Sequence, residues 1–323
     1  MAMGDSITAA FAARGGLLED RDLSWSVGIG YPDQVTLPWL LGQYGSHAQP
    51  PITVEGMSTT AVLPNDIPHL PHNDYHPKTD HLNVAESEGS VDRGSMEEQW
   101  QFLLEQFPKY PNMKSAWKVF TLWMTANDVC GQCNGPMNIE YWANRTNQLL
   151  VNISSTLNNV YVNLISTLDL SNVARIQRSN PFCTVEHRIL RECGCIDRGN
   201  ATQLQWLDRN VHTMNARLHK LAADWYTKLK QQGRTDMAVV VQSYQEGIGA
   251  TLDRSFLSQL DCFHPSALGH EDLAVGLWNS MLCVKGRANR CDTPFTANIT
   301  AVCPDVNSVF YTGPDVIPGP PPQ

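Results

Sequence analysis

The sequence has no long basic run and no long apolar run. Its 23 Lys and Arg against 32 Asp and Glu leave a net charge of −9. A surface that follows a phosphate backbone needs clustered Lys and Arg, so nucleic-acid binding is not expected. The same acidity disfavours anionic lipid, so any contact with a lipid interface should be transient, local and apolar. No stretch approaches the roughly 18 apolar residues that span a bilayer, and no signal peptide is recognisable.

The composition, 42% hydrophobic and 17% charged, is typical of a globular protein. Because no composition break or internal repeat divides the chain, we expect a single domain over residues 1–303. The Pro-rich segment 304–323 is typical of an extended linker. Only Met1-Ala2-Met3 precedes Gly4, which is short for a core strand, so we expect this first strand to be truncated at the N-terminus.

Short apolar runs rich in β-branched and aromatic residues predict buried parallel strands at 117–124, 160–168 and 237–241. Amphipathic patterns predict a helix that opens at Ser95, and helices over 141–157, 204–229 and 268–282. Strands that alternate with helices indicate an α/β fold, a three-layer α/β/α sandwich with a parallel central sheet. Residues 42–81 are rich in Pro, His, Gly and Asn and predict a long functional loop.

Nine cysteines lie between positions 130 and 303, and they include the close pairs 130/133 and 193/195. Four N-glycosylation sequons accompany them, at Asn144, Asn152, Asn200 and Asn298. Together these features predict a disulfide-bonded glycoprotein that is secreted, extracellular or lumenal. Zinc at the two close pairs is the alternative. Only one residue separates Cys193 from Cys195, which is shorter than usual zinc spacing, so disulfides are favoured.

Two short motifs near opposite ends of the chain carry nucleophilic chemistry. Asp261-Cys-Phe-His264 places a carboxylate where it can reach Nδ1 of the imidazole and leave Nε2 as a base. Gly4-Asp5-Ser6 places a serine on what could be a tight, exposed turn. Each motif alone is common, since the first also fits a plain loop histidine and the second a turn or helix cap. Their conjunction is the informative feature.

A Gly-Asp-Ser at the first strand end and an Asp-x-x-His before the last helix resemble the two ends of the GDSL, or SGNH, hydrolase pattern. Within that family the chain resembles the eukaryotic phospholipase B-like branch. The further matches run in order along the chain: Asp22-Leu23-Ser24-Trp25-Ser26-Val27-Gly28, Thr36-Leu37-Pro38, Asn127-Asp128-Val129-Cys130, Asn163-Leu164-Ile165-Ser166, Pro181-Phe182-Cys183 and Leu277-Trp278-Asn279.

This resemblance implies hydrolysis of phospholipid or lysophospholipid acyl esters without a metal or cofactor. It implies a catalytic triad of Ser6, Asp261 and His264. It also implies an oxyanion hole built from the N–H groups of Ser6 and Gly89 and the side-chain amide of Asn127. Gly56 is a second candidate for the glycine donor, but it lacks the Asn-Val-Ala sequence that precedes Gly89.

Two positions depart from the family pattern. Thr125 occupies the glycine position of Gly-x-Asn-Asp, and Glu88 is inserted before Gly89, where its charge would oppose an oxyanion. Two alternatives therefore stay open: an SGNH esterase of acetylated sugars or other small esters, and a degenerate, non-catalytic family member. A large apolar pocket beside Ser6 would favour lipid, and a narrow polar one the sugar esterase. Four loop histidines suggest a metal, but their spacings match no standard site: His69, His72, His76 and His81.

Overall fold

A computed structural model describes residues 1–30, 33–45, 52–63, 75–183, 192–246, 252–282, 299–305 and 308–313. Four strands form one parallel sheet in the order β1-β2-β3-β4: β1 (Ala2–Gly4), β2 (Lys118–Trp123), β3 (Val160–Ile165) and β4 (Met237–Gln242). The main helices are α1 (Leu37–Gly45), α2 (Ser95–Gln106), α3 (Ala126–Cys130), α4 (Ile139–Thr156), α5 (Ser171–Ser179), α6 (Gly194–Arg198), α7 (Ala201–Gln231) and α8 (Ala267–Met281). The predicted strands and helices are confirmed.

Two groups of helices cover the sheet. Helix α4 packs against both α2 and α7, and α7 packs against β4. Helix α1 packs on α8. Every residue of β3 and β4 is buried, so both faces of the sheet are covered. The predicted α/β/α architecture is confirmed. Within the described residues, no helix combines the length and the apolar composition that crossing a bilayer requires.

The strand order makes the carboxyl end of β1 a place where a ligand can bind. Residues 82–84 run parallel to β1 on the side away from β2, with the Ala2 N–H donating to the Leu82 carbonyl at 2.9 Å. Residues 82–84, which come before β2 along the chain, therefore lie on one side of β1, and β2 lies on its other side. In open α/β sheets, ligands bind at such a switch point, beyond the carboxyl ends of the strands. Ser6 follows β1 at this point.

The C-terminal segment contacts the domain where the structure describes it. The Tyr161 hydroxyl donates to the Tyr311 carbonyl at 2.7 Å, and the Tyr311 N–H donates to the Met281 carbonyl at 2.9 Å. These bonds place residues 308–313 against β3 and the end of α8. Residues 314–323, the remainder of the predicted linker, lie outside the described residues.

Candidate active site

Ser6 lies in the turn that follows β1. Gly4 is the last residue of that strand, and its backbone lies close to β2. A Cβ at this position would lie 2.6 Å from the Trp123 carbonyl oxygen. The Gln99 amide of α2 brackets Gly4: its Oε1 accepts from the Gly4 N–H at 2.9 Å and its Nε2 donates to the Gly4 carbonyl at 2.7 Å. The strand end is thus fixed from a neighbouring helix, and Ser6 is 8% exposed.

Asp5 stabilises the same turn at an electrostatic cost. Its Oδ1 accepts from the Ile7 N–H at 3.0 Å, while its Oδ2 has no hydrogen-bond partner in the described part of the chain. Burial raises the pKa of Asp5 to about 7, and the nearby Asp128 carboxylate adds to that rise. The carboxyl beside Ser6 therefore holds its proton to a higher pH than an ordinary aspartate does.

Asp261 and His264 share a loop after β4, and all four polar side-chain atoms of the pair are hydrogen-bonded. Asp261 Oδ1 accepts from the N–H groups of Phe263 and His264, at 2.9 and 3.0 Å. Asp261 Oδ2 accepts from His264 Nδ1 at 2.6 Å. Because the carboxylate only accepts, Nδ1 carries the proton and Nε2 accepts from the Ser6 hydroxyl, at 2.7 Å. The structure therefore brings Ser6, His264 and Asp261 into one relay.

The surroundings of His264 set its charge and orientation. Its ring is 2% exposed and meets the edge of the Phe11 ring, with centroids 5.0 Å apart. Burial by itself lowers the pKa of His264, but the charge and hydrogen bond of Asp261 outweigh burial, so the pKa is raised. The same pairing outweighs burial at Asp261 and lowers the pKa of its carboxyl. An imidazolium at this position is therefore stabilised.

A second carboxylate, from Glu192, lies beside the relay. One oxygen of Glu192, one of Asp261 and one ring nitrogen of His264 lie within 4.8 Å of one another. Residues of these types can hold a metal ion, but both nitrogens of His264 are already bonded, to Asp261 and Ser6. The charge of Glu192 also raises the pKa of His264. We interpret Glu192 as an electrostatic partner of the imidazole.

The three predicted oxyanion donors differ in whether they already donate a hydrogen bond to the protein. The N–H of Ser6 has no acceptor among the described residues. The N–H of Gly89 donates to the Glu86 carbonyl at 3.0 Å. Asn127 Nδ2 donates to the Gly89 carbonyl at 3.0 Å, which leaves the second hydrogen of that amide for another acceptor. Asn127 and Gly89 are thus in contact, while Gly56, the second glycine candidate, packs on Leu82.

Neither departure from the family pattern distorts the backbone around Asn127 or directs charge into the site. Thr125 has a negative φ of −138°, so the position does not need the left-handed conformation that favours glycine, and its Oγ1 accepts from Trp123 Nε1 at 3.1 Å. Glu88 has φ 61°, which is uncommon for a residue other than glycine. Its side chain is 57% exposed and pairs with Arg93 at 2.8 Å. The Glu88 charge therefore lies in solvent.

A buried guanidinium supports the segment that leads to Gly89. Arg21 is fully buried and donates to the carbonyls of Asn83 and Ala85, at 2.9 and 2.7 Å. It also donates to Glu19 Oε2 at 2.7 Å, while Glu19 Oε1 accepts from the Ser87 hydroxyl at 2.6 Å. This clamp fixes residues 83–87 through charge-assisted hydrogen bonds. Nothing in the sequence motif indicated it.

Three disulfides surround the site: Cys130–Cys193, Cys133–Cys195 and Cys183–Cys262. The disulfide interpretation is confirmed, because the two close pairs are crosslinked to each other. The first two join α3, which carries Asn127, and the turn after it to the segment that follows Glu192. The third disulfide includes Cys262, the residue after Asp261. Cys303 is an exposed free thiol, while Cys283 and Cys291 lie outside the described residues.

The loop histidines do not form a cluster where they are described. His76 lies 3.7 Å from the Asp80 carboxylate, and His81 Nδ1 bonds the Tyr110 hydroxyl at 3.0 Å. His69 and His72 lie outside the described residues. His81 therefore has a local hydrogen bond, whereas His76 Nδ1 has no hydrogen-bond partner among the described residues.

An apolar cavity opens beside the relay. It encloses about 50 Å³ and opens to solvent at its mouth, so it is small beside the cavities of roughly 300–1,000 Å³ that hold whole small molecules. The residues that follow Ser6 and precede Asn127 and His264 line it: Ile7, Ala126 and Phe263. Its far walls are apolar side chains from α8 and the loop before it, among them Leu252, Phe256 and Leu273.

The profile of the GDSL-like Lipase/Acylhydrolase family matches residues 1–276. The chain belongs to this family. The family is one of lipases and acylhydrolases, which is the class of ester hydrolases.

Three proteins that carry the same name are similar to the chain. The chain is 29% identical over 331 aligned positions to "Phospholipase B1, membrane-associated" of Rattus norvegicus, covering 96% of this chain and 21% of that protein. The human protein of the same name is 28% identical over 330 positions, with the same coverage. The Mus musculus protein is 29% identical over 303 positions, covering 87% of this chain and 18% of the relative. The chain thus spans about a fifth of each relative's length.

Proposed function

We propose that the chain hydrolyses acyl esters of phospholipids or lysophospholipids through an acyl-enzyme. The observation that carries this proposal is the apolar cavity beside Ser6. An acyl chain needs an apolar channel that starts at the nucleophile, whereas an acetyl group needs little space and a sugar needs polar partners. The apolar lining of the cavity therefore supports the acyl part of a lipid ester over the acetylated-sugar alternative.

In the proposed mechanism, His264 Nε2 takes the proton of the Ser6 hydroxyl, and Ser6 Oγ attacks the ester carbonyl. His264 then protonates the leaving alcohol and later activates the water that releases the fatty acid. Asp261 holds the tautomer and stabilises the imidazolium. The 2.7 and 2.6 Å contacts of His264 support these roles.

The oxyanion would be stabilised by the N–H of Ser6, the N–H of Gly89 and the amide of Asn127. For Gly89 this requires its N–H to leave the Glu86 carbonyl, since that bond exists without substrate. Apo enzymes often complete such contacts only with substrate bound. The free hydrogen of the Asn127 amide needs no such change.

The test compares substrates on one preparation, with Ser6→Ala as the matched blank. We expect kcat/KM for a long-chain lysophosphatidylcholine to exceed that for p-nitrophenyl acetate and for an acetylated xylose by at least about tenfold, since each buried methylene contributes roughly 0.8 kcal/mol. A faster reaction with acetylated xylose would favour the sugar-esterase alternative. Failure on all three substrates by a folded protein would favour the degenerate alternative.

We also propose an extracellular or lumenal location, where lipid contact is transient. The three disulfides support an oxidising compartment. Asn144 and Asn200 are exposed and available for glycan addition, whereas Asn152 is half-buried and Asn298 lies outside the described residues. Protein secreted from eukaryotic cells should lose mass on treatment with peptide-N-glycosidase, and an unchanged mass would contradict the glycoprotein proposal.

A further inference from the structure

Two of the predicted oxyanion donors lie in segments that are far apart along the chain. Gly89 lies before α2, whereas Asn127 is the second residue of α3. For both donors to meet one oxyanion, the segment of Gly89 must keep a fixed position relative to α3. A misplacement of about 1 Å can cost roughly a hundredfold in rate. The contacts between the two segments therefore matter for catalysis.

Asp128, the residue after Asn127, bonds the opposite segment through its carboxylate. Its Oδ2 accepts from the Val91 N–H and its Oδ1 accepts from the Asp92 N–H, each at 3.1 Å. Both oxygens of one side chain thus bond two successive backbone N–H groups, directly after Ser90 and close to the glycine donor.

Few other contacts fix the position of residues 89–92. In the part of the chain that the structure describes, their backbone is hydrogen-bonded outside residues 86–95 by the side chains of Asn127 and Asp128 alone. Asn127 supplies one of these bonds, to the Gly89 carbonyl at 3.0 Å, and Asp128 supplies two. The place of this run relative to α3 therefore depends mainly on Asp128.

The Asp128 carboxylate is held at an electrostatic cost. Its side chain is buried, and no cation among the described residues offsets its charge. Burial raises the pKa of Asp128 to about 6, although the two backbone bonds act in the opposite direction. Above that pH the group is ionised, and its charge strengthens both bonds. Because a buried charge without a cation is costly, its presence points to a role beyond stability.

We propose that Asp128 is a positioning residue, which holds Gly89 where that donor and Asn127 reach the same oxyanion. The inference rests on the proposed ester hydrolysis and adds a residue that itself touches no substrate. The Gly89 N–H belongs to the peptide unit before the carbonyl that Asn127 bonds. It can therefore turn from the Glu86 carbonyl towards an oxyanion while the bonds to α3 stay in place, since glycine tolerates the change in φ and ψ.

The first experiment compares Asp128→Asn with Asp92→Asn. In Asp128→Asn an NH2 group replaces one carboxylate oxygen, so one backbone N–H loses its acceptor. We expect kcat to fall about 10- to 100-fold, with KM changed less than about twofold, because the donors act in the transition state. Asp92→Asn removes the same charge from an exposed residue and should change kcat less than about threefold. Equal effects, or wild-type kcat in Asp128→Asn, would overturn the inference.

A transition-state analogue separates positioning from a general loss of structure. A long-chain alkyl trifluoromethyl ketone forms an adduct with Ser6 that places an oxyanion in the hole. Its Ki should rise in Asp128→Asn by the same factor as kcat/KM falls. The Kd of octadecanoic acid, a product, should change less than about twofold. A lower kcat with an unchanged Ki would show that Asp128 does not act through the oxyanion hole.

An arm on wild-type protein covers the case in which Asp128→Asn does not fold. In amide NMR spectra, adduct formation should move the Gly89 resonance downfield and leave the Val91 and Asp92 resonances in place. An unmoved Gly89 resonance, or shifts of Val91 and Asp92 as large as that of Gly89, would overturn the inference and leave the proposed function standing. If folded protein forms no adduct at all, the proposed function is overturned, and the inference with it.

Discussion

On the serine–histidine side of the site, all polar side-chain atoms of Asp261 and His264 are paired, and the Cys183–Cys262 disulfide anchors their loop. On the oxyanion side, the segment before Gly89 contains no cysteine and is held by hydrogen bonds and a buried ion pair. The proton relay is complete without substrate, whereas the Gly89 N–H is occupied by the Glu86 carbonyl. The difference predicts that the relay determines whether the chain reacts and the oxyanion side determines how fast.

Breaking the relay should give the largest effect. His264→Ala removes the base and should lower kcat roughly 10⁶-fold, as in serine hydrolases that lose one triad member. Asp261→Asn keeps the shape but favours the wrong tautomer, so about 10⁴-fold is expected. Single-turnover kinetics with a p-nitrophenyl ester measures both variants. A loss of less than tenfold in His264→Ala would rule out the relay.

Breaking the buried clamp should affect stability more than any exposed ion pair. Arg21→Met leaves the buried Glu19 and Asp80 carboxylates without their cation and should lower the free energy of unfolding by about 3–5 kcal/mol. Arg93→Met, which breaks the exposed pair with Glu88, should cost under about 1 kcal/mol. Urea unfolding with the disulfides intact compares the two. Equal costs would show that the Arg21 clamp contributes nothing special.

The sequence predicted the sheet and the four helices α2, α4, α7 and α8 well, because apolar periodicity is a local signal. Its motifs named Ser6, Asp261 and His264, which the structure brings into hydrogen-bond contact. It could not predict the clamp, since Arg21 meets Asn83 and Ala85 only after residues 82–84 join the sheet. Glu192 gave no signal beyond its neighbouring Cys193, and the crosswise cysteine pairing that places it is a property of the fold. The state of the Gly89 N–H depends on one turn, which no motif specifies.

The Asn127 amide sharpens the comparison on the oxyanion side. Asn127→Ala removes a donor and the bond to the Gly89 carbonyl, so kcat should fall about 10²- to 10³-fold with little change in KM. Glu88→Gln is the matched control, because its exposed carboxylate should change kcat less than about threefold. Steady-state kinetics on one ester gives both numbers. If Glu88→Gln is as slow as Asn127→Ala, the Glu88 charge does act on the site.

The pH dependence tests the charges around His264. The groups that face it are Asp261, Glu192 and Asp5, together with His270, whose pKa is lowered to about 3 by burial and by the charge of His264. His264 must be neutral to act as base, and its pKa is raised, so kcat/KM should rise with pH through an apparent pKa above the ordinary 6.5.

Glu192→Gln removes a charge that raises the pKa of His264, so the acidic limb should move to lower pH by about one unit. Glu88→Gln should leave the limb in place. Profiles of kcat/KM between pH 5 and 9 on a neutral ester separate the two variants. A limb that does not move in Glu192→Gln would limit Glu192 to a structural role.

The central claim, that Ser6 is a nucleophile activated by His264, is tested most directly by a fluorophosphonate probe with peptide mapping by mass spectrometry. We predict labelling of wild type at Ser6 alone, no labelling of Ser6→Ala, and labelling of His264→Ala slowed by several orders of magnitude. Folded wild-type protein that never labels at Ser6 would contradict the account. So would His264→Ala labelling at the wild-type rate.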